Sequence, residues 1–340
     1  MSIAGWRTKM SREEVAKFKK INDNPISFME CPSAGGRRIF HSRSHPIKTM
    51  TTPHLKNAIA FAALFLLPLS GMPAKPVEIL TSFYPMYVSV LNVVGDAPGV
   101  EVSCLAERFV GCLHDYQLTP GDMKRIARAD IFVANGAGME TFLDKALKQS
   151  PSLKLVDASE GIPPAFGGNP HIWVGISGAI RQVKNIARGL AAADPSHAER
   201  YQRNADAYIA KLEALCSEMH AALDGLKNRD IVTFHEAFPY FAGEFQLNIV
   251  GVIEREPGSE PGAKELAGIV EIVRERKVSA LFAEPQYPAK SAKVIERETG
   301  VRLSILDPAV TGPREPDKAR DAYLAAMRKN LDVLSRALSE

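Results

Sequence analysis

Between residues 194 and 227, apolar side chains recur at Tyr201, Ala205, Tyr208, Leu212, Leu215, Met219, Ala222 and Leu226, in alternating steps of four and three. That spacing lines one face of an α-helix and no face of a strand. Asp194-Pro195 supplies an N-cap and a proline for the first helical position. A helix over 196–226 would be about 45 Å long at roughly 1.5 Å per residue. Such a seam serves either a coiled-coil dimer or a spine packed on its own chain. The alanines in it, and the patterns on both flanks, favour the spine and a monomer.

Upstream, residues 77–83, 100–105, 131–135 and 153–157 are short apolar runs, with helical stretches at 86–94, from Thr119 onward and at 139–150. Thr119-Pro120-Gly121-Asp122 offers an N-cap, a proline at the first helical position and an acid at the positive helix end. Downstream, runs at 231–234, 247–252, 279–283 and 301–306 alternate with helical stretches near 240–241 and at 263–276, 289–299 and 317–338. Short apolar runs alternating with helices are the text of parallel-sheet α/β units. The expected fold is therefore α/β: an N-terminal α/β lobe at 75–193, the long helix at 194–227 and a C-terminal α/β lobe at 228–340.

The chain has 340 residues, 46% hydrophobic and 24% charged, ample for two such lobes. Its formal charge of +3 is concentrated at the front, because from residue 75 onward 31 Lys/Arg face 35 Asp/Glu. A mildly acidic body with 7% aromatic residues has neither the basic stripe nor the stacking platform of a nucleic-acid partner. Residues 50–74 read as a secretory signal, with Lys56 in a polar start, an apolar run at 58–69 and small residues to Ala74. The run is shorter than the roughly twenty residues of a membrane span, although a membrane anchor or a buried helix is the competing reading. No cysteine stands at its end, so lipid attachment is not expected. Met50 is the expected start, and residues 1–49 an extension that would form a disordered arm if translated.

Cys104, Cys112 and Cys216 remain beyond that extension, an odd number that is not a disulfide framework. Cys104 and Cys112 can pair across a short loop or stay as buried thiols.

His235, Glu284 and Asp307 each follow an apolar run, and His114 and His171 lie in loops. Ligands of open α/β sheets bind beyond the carboxyl ends of the strands. Imidazole is the common neutral ligand of zinc, so these histidines could close on one ion if the lobes face each other. Taken one at a time, however, a histidine at a strand end is usually a hydrogen-bonded structural residue. His197 and His220, on the long helix, read as surface or packing residues.

Four segments change the weight of the three histidines together. Gly111-Cys112-Leu113-His114-Asp115-Tyr116-Gln117-Leu118-Thr119-Pro120, Asn169-Pro170-His171-Ile172-Trp173, Thr233-Phe234-His235-Glu236-Ala237-Phe238 and Phe282-Ala283-Glu284-Pro285-Gln286 resemble, in order and spacing, the solute-binding proteins of zinc/manganese ABC uptake systems. The resemblance spans residues 77–338. It implies two α/β lobes joined by one rigid helix, with a metal site in the cleft and delivery to a membrane permease driven by an ATPase. It implies His114, His171 and His235 as ligands. The fourth place goes to Asp307, to Glu284 or to water, with Glu284 equally suited to orient a histidine.

Three imidazoles suit Zn²⁺; manganese-preferring members carry a carboxylate where His235 stands, so Mn²⁺, or iron, is the alternative. Many zinc members have a His-rich acidic loop before the second ligand, where this chain has only Pro163-Pro164-Ala165-Phe166-Gly167-Gly168. The resulting expectation is an exported, periplasmic or extracellular receptor rather than an enzyme, with affinity falling below about pH 6.5 as protons compete for imidazole. The rival from another class is a three-histidine zinc hydrolase with Glu284 or Glu236 as base. A third reading, a surface adhesin, is disfavoured by the missing lipid-attachment cysteine.

Overall fold

The computed structural model describes residues 75–339, apart from 107–112, 114, 115, 142, 144, 145, 147, 148 and 255–259. The signal-like run, the extension before it, His114 and Cys112 therefore lie outside the described residues.

In the first lobe, β1 (Val77–Thr81), β2 (Val100–Cys104), β3 (Ile131–Ala134) and β4 (Lys154–Asp157) form a parallel sheet in the order β2-β1-β3-β4. Helices α1 (Tyr84–Val94), α2 (Pro120–Arg128) and α3 (Ile176–Ala193), with a 3₁₀ turn at Ile172–Val174, accompany this sheet. In the second, β5 (Asp230–Thr233), β6 (Asn248–Val252), β7 (Ala280–Ala283) and β8 (Leu303–Ile305) repeat the plan as β6-β5-β7-β8, again parallel, with helices α5 (Pro239–Glu244), α6 (Ala263–Arg276) and α7 (Lys290–Thr299) between them. Strands β3 and β7 are buried along their whole length, as continuous apolar runs in a sheet covered on both faces must be. The cap of α2 forms as expected: Thr119 Oγ1 accepts from Asp122 N, and the Asp122 carboxylate accepts from Thr119 N.

The spine α4 (Ala198–Leu223) follows a 3₁₀ turn at Pro195–His197 rather than starting directly at Asp194. Asp194 does not cap it through backbone bonds; its carboxylate instead accepts from Tyr201 Oη at 2.7 Å and binds His197 Nδ1 at 2.7 Å. Tyr201, Ala205, Tyr208, Leu212, Leu215 and Met219 are buried, but the seam then passes to Leu223, leaving Ala222 exposed and Leu226 only half-buried. A straight helix at 3.6 residues per turn drifts off a strict 3-4 repeat, and Met219 to Leu223 is that drift. The helix packs on α3, on α1 and on the C-terminal helix α9 (Ala322–Leu338), so one apolar core runs from Val88 and Trp173 to Phe241 and Met327.

Gly95, with φ +57°, ends α1 against the spine. A Cβ there would strike Asn204, whose amide donates at 3.1 Å to both Val93 O and Val94 O.

One further expectation is corrected. The final helix is interrupted: α8 (Pro316–Ala319) is separated from α9 by Arg320 and Asp321. Arg320 is held by the end of α1, its carbonyl accepting from Asn92 Nδ2 and its guanidinium donating to Gly95 O at 3.0 Å. Of the two states open to Cys104, a bond to Cys112 or a buried thiol, the fold has the buried thiol, whereas Cys216 is disulfide-bonded.

Candidate metal centre

Strands β5 and β7 are parallel neighbours, pairing Ile231 with Ala280 and Val232 with Leu281. The same offset carried three residues further sets His235 beside Glu284 at the carboxyl edge of the sheet. Their side chains meet there. Glu284 Oε1 makes a short hydrogen bond to His235 Nδ1, and His235 N donates to the same oxygen at 3.3 Å. The other carboxylate oxygen accepts from Gln286 Nε2 at 2.7 Å. Glu284 is 1% exposed, with neither lysine nor arginine bonded to it among the described residues. An acid engaged at Nδ1 leaves the opposite nitrogen, Nε2, as the metal-facing one.

His171 opens the 3₁₀ turn Ile172–Val174 that leads into α3. Gly178 lets this turn lie flat on the helix, since a Cβ there would collide with Ile172 O. Trp173 secures the turn to the second lobe: its indole donates to Pro308 O at 2.8 Å, and its carbonyl accepts from Tyr323 Oη at 2.8 Å.

The rings of His171 and His235 stand 5.4 Å apart, nearly perpendicular at 77°. They line a cavity of about 10 Å³, with Phe83, Leu113 and Tyr287 among its walls. That is room for about one water or one ion. Leu113 brings the segment next to His114 to the cavity wall. The donor set fits a late divalent cation, with imidazoles in apolar walls and a buried carboxylate behind one of them. Gln286 also lines the cavity, and its buried Oε1 has no hydrogen-bond partner, an acceptor left for something the cavity holds.

Asp307 is placed differently from His171 and His235. Its loop contributes Pro308 and Val310 to the cavity, while its own Oδ1 accepts from Ala309 N at 2.8 Å. Asn330 clamps the Asp307 backbone on both sides, and burial pushes the Asp307 carboxyl up. Glu236 is exposed and Glu284 is committed to His235 and Gln286, so neither is set to activate water as a hydrolase base. Asn169 and Gln286 stand inside two of the quoted motifs, but their part in the site was not read there, because nothing local says which way an amide will turn.

Cys216 and His220 on the spine and Glu244 at the end of the helix Pro239–Glu244 bring ligating atoms within 4.8 Å of one another, but the Cys216 sulfur is in a disulfide and is no thiolate ligand.

The family model described as the periplasmic component A of the zinc-uptake complex matches residues 79–337. The zinc-binding lipoprotein AdcA of Streptococcus pneumoniae is 29% identical over 303 residues, covering 83% of this chain and 60% of that protein. The high-affinity zinc uptake protein ZnuA of Bacillus subtilis is 29% identical over 282 residues, covering 77% and 87%. The chain thus spans about six tenths of the AdcA relatives but most of ZnuA. Among solved structures, the Zn(II)-bound ZnuA-like domain of pneumococcal AdcA superposes with a TM-score of 0.69 at 30% identity, covering 78% of this chain and all of that one. The solute-binding protein FpvC of Pseudomonas aeruginosa, in complex with Ni²⁺, gives 0.69 at 32% identity, covering 78% and 97%.

Proposed function

Because the chain belongs to the family of periplasmic zinc-uptake components, a family of receptors and not of enzymes, we propose that it captures Zn²⁺ outside the cytoplasmic membrane and hands it to an ABC permease and its ATPase. The observation that carries this reading is the meeting of His171 and His235, from two different lobes, on one ion-sized cavity. His114, next to the Leu113 wall, is the third imidazole. Water takes the fourth position rather than Asp307, which spends its carboxylate on its own loop. Glu284 orients His235 and supplies the nearby negative charge that a bound cation offsets. Relatives of this fold hold zinc, nickel and manganese, so the fold alone does not choose the metal. The imidazole set does, in favour of zinc.

Isothermal titration of the metal-free chain with Zn²⁺ and with Mn²⁺ tests the proposal. Zn²⁺ should bind the tighter, and His235→Ala should weaken it at least a hundredfold. Equal zinc affinity before and after the substitution would break the three-histidine site.

A further inference from the structure

Asn169 touches both metal-binding loops at once. Its Oδ1 accepts from His171 N at 3.0 Å and lies 3.0 Å from His171 Nδ1, while its Nδ2 donates to Glu236 O at 2.7 Å, the carbonyl next to His235 in the other lobe. The turn that presents it is well determined by its own bonds. Gly167 and Gly168 take φ of +74° and +85°, and Gly168 N and Asn169 N both donate to Ala165 O. The same turn reaches across the cleft a second time, where Phe166 packs edge-on against Tyr240 at 5.1 Å.

We propose that Asn169 is a positioning residue that sets the tautomer of His171 and latches the two ligand loops together around the ion. A carbonyl oxygen can only accept, so it holds the proton of His171 on Nδ1 and leaves the Nε2 lone pair for metal. The amide nitrogen can only donate, so it closes on the Glu236 carbonyl. An aspartate could do the first and not the second, because its other oxygen would face a carbonyl oxygen at the distance of a hydrogen bond. Asparagine is the side chain of this size that does both.

The inference rests on the zinc-receptor reading, and the test separates the two. The full chain is compared as wild type, Asn169→Asp, Asn169→Ala and, for the site itself, His171→Ala. Zinc release to an excess of chelator is followed by stopped flow, and the His171 tautomer of the metal-free protein is read from imidazole ¹⁵N shifts. Asn169→Asp should keep the Nδ1–H form yet release zinc about tenfold faster. Asn169→Ala should show mixed tautomers and bind zinc about 10–100-fold more weakly, the range for loss of a group that orients a metal-binding histidine. Release from Asn169→Asp within twofold of wild type overturns the latch, and an unchanged tautomer in Asn169→Ala overturns the positioning role. Zinc bound as tightly by His171→Ala as by wild type sinks the receptor site instead, a result the tautomer measurement does not depend on.

Discussion

His235 and Glu284 are 49 residues apart and become hydrogen-bonded because β5 and β7 run parallel in a register offset by that same number. A second acid shows how strongly burial acts here. Glu140 accepts from Asn135 N at 2.7 Å and Gly136 N at 3.0 Å, and desolvation nonetheless raises its pKa to about 7. The raised value means that the folded chain holds this proton while the unfolded chain releases it near pH 4.5. The stabilisation is complete below pH 4.5 and is lost as pH rises to 7, a change of roughly 3 kcal/mol for one such group. Glu244, raised to about 7 by burial as well, acts with the same sign. Urea unfolding of metal-free protein should therefore show stability falling from pH 4.5 to 7, and Glu140→Gln should flatten about half of that fall. An identical slope in the variant would contradict the assignment. His171 and His235 stood out in the sequence because each sits in a local motif. The partner of His235 did not, since Glu284 arrives from another strand.

At the scale of elements, the spine was legible because 3.6-residue periodicity is a local property, and Tyr201 to Met219 follow it in the fold. Its last turn was not, because the choice between Ala222 and Leu223 depends on where the second lobe meets the helix. The difference is measurable. Leu215→Ala, at a fully buried position, should cost about 2–5 kcal/mol by urea denaturation, whereas Ala222→Ser should stay within about 0.5 kcal/mol. Equal costs would place the seam on the wrong face. The break between α8 and α9 has the same origin. Residues 317–338 read as one helix, and only the bonds of Arg320 to the end of α1 interrupt it.

For the whole molecule, the bonds between lobes decide how far the cleft can open. Besides the spine, Trp173 is tied to Pro308, Tyr84 Oη to Pro313 O at 3.0 Å, and Tyr87 Oη to Arg314 O at 3.0 Å. A continuous apolar core underlies these bonds, and separating the lobes would expose it to water. On the proposed receptor reading, metal release is expected to proceed by shifts of the ligand loops, with the lobes nearly fixed. Spin labels at the exposed positions Glu101 and Lys264, one in each lobe, should report nearly the same distance with and without Zn²⁺, within about 2 Å. A change of 5 Å or more would show a hinge that these contacts do not permit.

By itself the sequence determined the α/β class, the spine, the strands that end in His235, Glu284 and Asp307, and the histidine motifs, all encoded in short stretches of chain. The tertiary structure alone decided which of those residues face one another. Strand order and register brought Glu284 onto His235, Asn330 clamped the backbone of Asp307, and the crossing of Asn169 to Glu236 joined the two loops. Each of these depends on segments from 23 to 67 residues apart meeting in a particular orientation. Side-chain periodicity records which face of an element is buried, and carries no record of what that face, or a side chain at its end, will meet.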